Sequence, residues 1–455
     1  MPLSKNGENE SQPLEPECIA GQPAPSQESP RSLIPVRPPT PSHHPLWNVK
    51  PSPEYIERLF KTAFPEHATP SIRELEPGRS YNNRIYFLEP RYVGVQQYVL
   101  KVNGQFFGGE KVQNEVSCLR ILEKYCPEIP IPRVMAWSEN GTNVMVSSPH
   151  GIVKREVAPD DYISVAKAGW ILMSRIPGKP VSNLPDLLSN DASSAISIAR
   201  QLAEIVATWR SKIPATPSCG NLRFASGPSA ADISLGPTTN DQSRPNSLTI
   251  RGVLGDDIPP SNSIPTTRDL HCTRLNTRLQ ELQSNDVYAA NRQLIPLLID
   301  FVENHLSCLF SVAPGPSAKA EFIFTHYDLA PRNVHVQILA DGSPLIVGLV
   351  DFEFSGFFPR TEEFVNDEIQ NKEDWSEEVY RAYLEKLEEL GVATPLRGVG
   401  EKEWQRERWL ARLANNIAPW WLPGEKSGLE LAAALEESAG AVRDAVGELR
   451  ALSGR

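Results

Sequence analysis

The spacing of apolar positions changes along the chain, and each change marks an element. In Pro53-Glu54-Tyr55-Ile56-Glu57-Arg58-Leu59-Phe60 apolar residues recur three and four apart, which predicts a short helix. Strand-like runs follow at Ile72–Leu75, Arg84–Leu88 and Gln97–Val102. Helical spacing returns over Lys111–Lys124, with the stripe Val112, Val116, Leu119, Leu122. Glu115 lies on that stripe by i, i+4 spacing with Leu119, so its carboxylate points inward and needs a cation. Lys101, in the preceding strand, is the nearest candidate, and Glu110 is the alternative partner for that lysine. The alternation of Leu100 and Val102 also allows Lys101 to face solvent, so periodicity does not decide it.

Ile129–Val134 reads as a stiff extended connector, and Trp170–Ile176 as a buried strand that stops at Pro177-Gly178. Beyond it the period becomes helical: Ala192–Trp209 first, then about 286–311, 376–390 and 401–417. That switch places a lobe boundary at 177–182, dividing 53–177 from 178–425. Residues 1–47 are rich in Pro, Ser, Gln and Glu without periodicity and read as a disordered tail, with His43-His44 a solvated pair. Residues 223–266 are similarly aperiodic and read as an insertion loop. The final segment, 426–455, alternates Leu, Ala and Val with Glu and Arg as an amphipathic helix with a packing or partner face.

One stretch breaks the helical run of the second lobe. Val334–Leu339 and Leu345–Val350 are strand-like and are joined by Ala340-Asp341-Gly342-Ser343, whose Asp-Gly pair predicts a hairpin. Asn333 precedes the first strand and Asp351 follows the second, so antiparallel pairing brings both to the open end. Asp328, five residues upstream of Asn333, can fold over the same point. Two acids and an amide oxygen converging there suit a hard cation such as Mg²⁺, with one acid left for acid/base work. Taken singly, Asn333 and Asp351 also fit turn positions flanking a hairpin, and His326 fits a core histidine.

Composition narrows the partners. The chain has 455 residues, is 40% hydrophobic and carries a net charge of −11, which speaks against a nucleic-acid or anionic-membrane partner. No run approaches a membrane span, and Met1–Glu8 has no apolar signal core. The six cysteines are scattered without metal spacing and suit free thiols in a reducing, cytoplasmic setting.

His326-Tyr327-Asp328-Leu329-Ala330-Pro331-Arg332-Asn333, followed by Val350-Asp351-Phe352-Glu353, resembles the aminoglycoside phosphotransferase and choline kinase family, the fungal-type members above all. The resemblance covers about 55–425, outside the tail, the insertion and the last helix. It implies an α+β, protein-kinase-like fold in two lobes: an antiparallel β-sheet with a helix, then a mainly helical lobe carrying the catalytic hairpin. It implies an ATP- and Mg²⁺-dependent kinase acting on a hydroxyl of a small molecule. Asp328 would be the catalytic base, braced by His326; Asn333 and Asp351 would hold Mg²⁺, with Glu353 shaping that site. Lys101, held by Glu115, would contact the α- and β-phosphates. Gly78, Ser80 and Asn82 would belong to the loop over the phosphates, and backbone groups of Ser174 and Ile176 would meet the adenine edge.

Gly78 stands alone in that loop, where a protein kinase has several glycines, and no activation-segment motif follows Asp351; both features argue against a protein acceptor. A kinase fold that binds nucleotide without transfer, and a protein kinase, are the alternatives. Glu362, Glu363, Asp367, Glu368, Glu373 and Asp374 form either an acidic rim for a cationic acceptor or a solvated face. Trp375 and Trp420-Trp421 fit the core better than a substrate pocket.

Overall fold

The strand-like runs of the first lobe, with others between them, pair into one seven-stranded sheet in the order β1-β2-β3-β7-β4-β5-β6. The strands are β1 Ser71–Glu74, β2 Asn83–Glu89, β3 Tyr98–Asn103, β4 Val134–Ser138, β5 Asn143–Ser148, β6 Gly151–Glu156 and β7 Trp170–Ser174. All neighbours are antiparallel. This computed structural model describes residues 44–76, 80–90, 96–105, 108–148, 151–158, 169–184, 192–224, 248–310, 322–365 and 375–454.

Both faces of the sheet are covered, and that decides the orientation of Lys101. Tyr98, Leu100 and Val102 of β3 and Trp170 and Leu172 of β7 join the cluster beneath the helix Pro53–Ala63. Ile171 and Met173 turn the other way, toward the helix Gly108–Tyr125. By alternation Lys101 shares that second face, and it is 4% exposed. A strand covered on both sides loses the polar/apolar alternation from which orientation is ordinarily read.

The second lobe is mainly helical. The helices Ala192–Lys212 and Glu377–Glu389 pack together around the main core, and Glu401–Ile417 packs with the last helix, Gly428–Ser453, around another. Ala434, Leu435, Ala439, Val442, Ala445, Val446 and Leu449 are buried in that second cluster, so the terminal helix presents a packing face within the chain. Among the described residues no helix is long and apolar enough to cross a membrane. Cys118, Cys126, Cys219, Cys272 and Cys308 are free thiols.

The hairpin of the second lobe pairs Val334–Ile338 with Pro344–Leu349, with a bulge between His335 and Val336. Asp341 closes its turn by accepting from the Ser343 amide at 2.9 Å, and Gly342 supplies the left-handed backbone, φ 85°. The Val350 amide donates to the Asn333 carbonyl at 3.0 Å, which sets the spacing at the open end.

Three boundaries differ from expectation. The expected tail of residues 1–47 lies outside the described residues up to 43, but 44–50 is a turn docked on the sheet: Pro45 and Val49 are buried, and the Arg84 guanidinium bonds the Val49 carbonyl. Of the expected insertion 223–266, residues 225–247 lie outside the described residues, whereas 248–266 is built into the lobe. Leu248–Ile250 pairs with Leu222–Phe224, and a 3₁₀ turn, Leu254–Asp256, delivers the buried Asp256 to Arg274. That ion pair joins positions distant in pattern, which periodicity cannot register. The expected helix 286–311 is a series: a 3₁₀ helix Asp286–Leu294, the α-helix Ile295–Asp300 with Pro296 in its first turn, a π turn and a second 3₁₀ turn.

Candidate active site

Lys101 is the centre of the site. Its ammonium lies 2.7 Å from Glu115 Oε2, 2.5 Å from Asp351 Oδ1 and 2.8 Å from Glu353 Oε2. Glu115 is 1% exposed, one helical turn beyond the wholly buried Lys111. Lys111 in turn lies 3.1 Å from Glu353 Oε2 and donates to Asn83 Oδ1 at 2.8 Å. Glu110, the alternative partner for Lys101, pairs instead with Arg223 at 3.0 Å on the half-exposed side of the helix.

Three carboxylates therefore share two ammonium groups, one negative charge too many for so dry a site. The imbalance is visible in the proton affinities. Burial opposes the charge on Lys101, but Asp351, Glu115 and Glu353 outweigh it and hold its pKa well above the lysine value. Burial also raises Glu353, yet Lys101 and Lys111 overcome it and hold that carboxyl far below its usual range. The excess falls on the other two acids: burial lifts Glu115 to about 7 and raises Asp351, with Lys101 pulling both down without cancelling it. The convergence of Glu115, Asp351 and Glu353, all within 4.8 Å, has the outline of a metal cage. Its occupant is the Lys101 ammonium, and of the three only Asp351 has appreciable side-chain exposure, 30%.

At the open end of the hairpin, Asn333 Nδ2 donates to the Asp328 carbonyl at 2.9 Å and to Asp328 Oδ2 at 3.0 Å. The other Asp328 oxygen accepts from Arg332 at 2.7 Å. His326 is buried between Phe352 and Trp209. Its Nδ1 accepts the Asp328 amide at 3.3 Å, so Nε2 carries the hydrogen toward the Val350 carbonyl at 3.2 Å. Burial drops its pKa to about 3, so the ring is neutral and ties Asp328 to the end of the second hairpin strand. Tyr327 and Asp351 adopt left-handed backbone, φ 75° and 70°, unusual for residues with side chains and typical of sites held by their surroundings.

For Tyr327 those surroundings are identifiable. Its ring packs on Phe358 at 4.9 Å between centroids, and its hydroxyl lies 3.4 Å from Arg274. Arg274 is itself fixed by Asp256 at 2.7 Å and Glu362 at 2.6 Å. A Cβ added at Gly255 would stand 3.2 Å from the tyrosine ring, so the 3₁₀ turn fits directly beneath it.

A cleft of about 750 Å³ collects these groups: Ser80, Lys101, Glu115, Ser174, Ile176, Arg332, Asn333 and Asp351 all line it. Gly348 lets the hairpin approach the Ile176 side chain, which a Cβ there would strike at 2.1 Å. Ser174 is more engaged than expected: its amide donates to the Arg133 carbonyl at 2.9 Å, and its hydroxyl accepts the Arg133 amide at 2.8 Å. Gly78 lies outside the described residues. Asn82, expected in the loop over the phosphates, donates to Glu353 Oε1 at 3.2 Å, beside the 2.7 Å bond from Asn83 to Oε2. Glu353 thus serves as a clamp for the loop and both lysines.

Of the acidic run after the hairpin, Glu362 and Glu363 are buried and not a solvated rim; Asp367, Glu368, Glu373 and Asp374 lie outside the described residues. Trp375 belongs to the core, while Trp420 is half exposed, with its ring 6.2 Å from that of Tyr81. Sequence reasoning missed Lys111 and Arg274, and it read Asn83 as a residue of the phosphate loop and Glu363 as part of an acidic rim or solvated face. For Lys111 a signal existed, because it stands i, i+4 from the inward Glu115.

The profile of the phosphotransferase enzyme family matches residues 72–388, over two thirds of the chain, and the chain belongs to that family. Its kinase-like architecture is the one described above. No curated protein matches the chain. Among solved structures it is similar to an amicoumacin kinase in complex with AMP-PNP, Ca²⁺ and its ligand: 10% identity, 86% of this chain and 93% of that one, TM-score 0.46. It is also similar to the gentamicin complex of APH(2'')-IIa, at 14% identity, 87% and 94% coverage and TM-score 0.43. A microcompartment-associated aminopropanol kinase matches at 15% identity, 87% and 98% coverage and TM-score 0.43.

Proposed function

We propose that this phosphotransferase is an ATP- and Mg²⁺-dependent kinase that phosphorylates a hydroxyl of a small molecule, with Asp328 as its base. The observation that carries the reading is the convergence of Lys101, Asn333, Asp351 and Arg332 on one cleft, with Arg332 and Asn333 bonded to Asp328. The acceptor oxygen bonds the γ-phosphorus as the bond to the β,γ-bridging oxygen breaks; its electron pair leaves with ADP, and the acceptor proton passes to Asp328. Phosphoryl transfer of this kind needs positioning and charge neutralisation more than covalent help. Lys101, held by Glu115, would exchange its contact with Asp351 for the α- and β-phosphates. Ser174, through its carbonyl, and Ile176 would border the adenine, and Ser80 the phosphates.

The donor set fits a magnesium ion. Asp351 offers a carboxylate with part of its side chain exposed, and Asn333, whose amide nitrogen serves Asp328, offers its carbonyl oxygen. When bound, the ion neutralises charge on the nucleotide phosphates. Glu115 and Glu353 are not counted as ligands, since Lys101 occupies both.

A small acceptor is favoured by the chain after Asp351. It turns directly into the strand Gly356–Phe358, paired with Ile323–Thr325, and the short helix Glu362–Val365, without an extended platform for a peptide up to that point. The test is ADP release from Mg²⁺-ATP across amines, amino sugars and sugars. Acceptor-dependent release above the Asp328→Asn background supports the reading. Tight nucleotide binding with no release over that background would leave a binding protein, and labelled phosphate appearing in added proteins alone would make it a protein kinase.

A further inference from the structure

Tyr327, the residue before the base, is held by segments that lie outside its own stretch of chain. Its backbone is left-handed, φ 75°, a conformation that a residue with a large side chain rarely takes unless its surroundings impose it. The ring packs on Phe358 of the strand Gly356–Phe358 and meets Gly255 of the turn Leu254–Asp256. Its hydroxyl lies 3.4 Å from Arg274, which belongs to the helix Thr267–Ser284. Arg274 is itself fixed: Nε donates to Asp256 at 2.7 Å, and Nη2, the nitrogen that faces the tyrosine, donates to Glu362 at 2.6 Å. Arg278, one helical turn on, donates to the Gly255 carbonyl at 3.1 Å and ties down the same turn. Arg274, Asp256 and Glu362 are all buried, so separating them strands charge in a dry place.

The place of this anchor decides what it acts on. Asp328 follows Tyr327 directly, so the dihedral angles of Tyr327 set the direction in which the carboxylate leaves the chain. His326 and Asn333 hold Asp328 by its amide, carbonyl and carboxylate, and Tyr327 adds a hold on the backbone that precedes it. We propose that Arg274 is a positioning residue for phosphoryl transfer: carried by Asp256 and Glu362, it holds the Tyr327 hydroxyl and thereby the backbone from which Asp328 reaches the acceptor. Arg274 acts through Tyr327 and exchanges no proton. Among the described residues that line the nucleotide cleft, none is Arg274, Asp256, Tyr327 or Glu362, so the anchor governs turnover and leaves nucleotide affinity alone. The turn Leu254–Asp256, within a stretch that reads as an insertion, thereby becomes part of the apparatus that aims the base.

This inference rests on the phosphotransferase reading, and its test keeps the two apart. ADP release from Mg²⁺-ATP is measured with water as the acceptor, and AMP-PNP affinity by calorimetry, on the wild type, Tyr327→Phe, Arg274→Lys and the double variant. Tyr327→Phe keeps the ring and both ion pairs of Arg274 and removes the hydroxyl alone. Its kcat falls about tenfold, while nucleotide KM and AMP-PNP Kd stay within about twofold and the unfolding midpoint does not move. Arg274→Lys keeps the charge but loses the planar fork that spans its partners, and kcat falls by about tenfold or more. The double variant is no slower than Arg274→Lys, because both changes break one contact. A purely structural Arg274 predicts wild-type turnover in Tyr327→Phe. That result, losses that multiply in the double variant, or AMP-PNP weakened in step with turnover overturns the role of Arg274 while sparing the kinase reading. A wild type with no release above the Asp328→Asn background overturns both. Should Arg274→Lys fail to fold, Tyr327→Phe decides alone, and an unchanged kcat there is fatal.

Discussion

Two ion clusters border one cleft, one reaching it through Lys101, Glu115 and Asp351 and the other through Arg332, and they are built on opposite principles. Around Lys101, the side chains of Lys101, Glu115 and Glu353 are 5%, 2% and 2% exposed, and Lys101 and Glu353 each have several partners. Around Asp328, the pair with Arg332 has side-chain exposures of 17% and 50%. A buried cluster is rigid because taking away any member strands the others in a dry site. A half-exposed pair costs little to separate. The Lys101 cluster thus has the character of a fixed frame, whereas the Asp328–Arg332 pair is more open to water and easier to separate.

The contrast breaks most visibly at Lys101. Replacing it with Met removes the shared cation from three carboxylates. We expect a stability loss of about 3–5 kcal/mol in denaturant unfolding and no measurable ADP release. A Lys101→Met protein as stable as the wild type would show that the cluster is not the frame. Asp328→Asn is the counterpart at the exposed end. It should cut turnover on the order of 10²- to 10⁴-fold while moving the unfolding free energy by less than about 1 kcal/mol. A large stability loss there would erase the distinction between the two ends.

The difference between the ends also explains what could be read from the residues in order. The exposed end lies within one continuous stretch, 326–351, so an Asp-Gly turn between two apolar runs was enough to place Asn333 and Asp351 together. The buried end is assembled from β2, β3, the helix Gly108–Tyr125 and the segment after the hairpin. Only Glu115 betrayed itself there, as an acid on an apolar stripe. Lys101 was ambiguous because its strand is covered on both faces, and Lys111 was overlooked although the argument applied to Glu115 reached it too. Asn82 and Asn83 looked like loop residues; what they bind, Glu353, is some 270 positions away. The Arg274 network with Asp256 and Glu362 was invisible for the same reason. Long-range polar pairing leaves no local period.

A third buried acid separates frame from movement by its pH response. Glu363 is buried with Arg210 3.8 Å away and neither carboxylate oxygen hydrogen-bonded; burial lifts its pKa to about 7, and Arg210 lowers it only in part. The folded state thus binds a proton more tightly than the unfolded chain, whose carboxyl titrates near 4.5. The stability this group contributes is full below about 4.5 and is lost as pH rises through about 7. Glu363→Gln stays neutral throughout. Relative to the wild type, it should gain stability between pH 5 and pH 8, by at most about 3 kcal/mol, in paired unfolding curves. A constant difference between the two proteins across that range would show that Glu363 is ionised in the fold at both pH values.

The smallest expected effect sharpens the comparison furthest, because it concerns two glutamates on a single helix. Glu110 and Glu115 were both candidates for Lys101, and they differ in what surrounds them. Glu110, with 47% side-chain exposure, pairs with Arg223, whereas Glu115 is buried on Lys101. Glu110→Gln removes a screened pair and should cost less than about 1 kcal/mol, with the loss shrinking as salt rises. Glu115→Gln keeps the shape and removes a charge the cluster already holds weakly, given a pKa of about 7. Its stability cost should therefore stay well under that of Lys101→Met, while Lys101 is freer to leave its place and nucleotide affinity falls. Measuring both variants by unfolding and by AMP-PNP binding in low and high salt separates the two roles. If Glu110→Gln lost nucleotide affinity and Glu115→Gln did not, Glu110 would be the partner that positions the lysine for phosphate, and the buried pair would be packing alone.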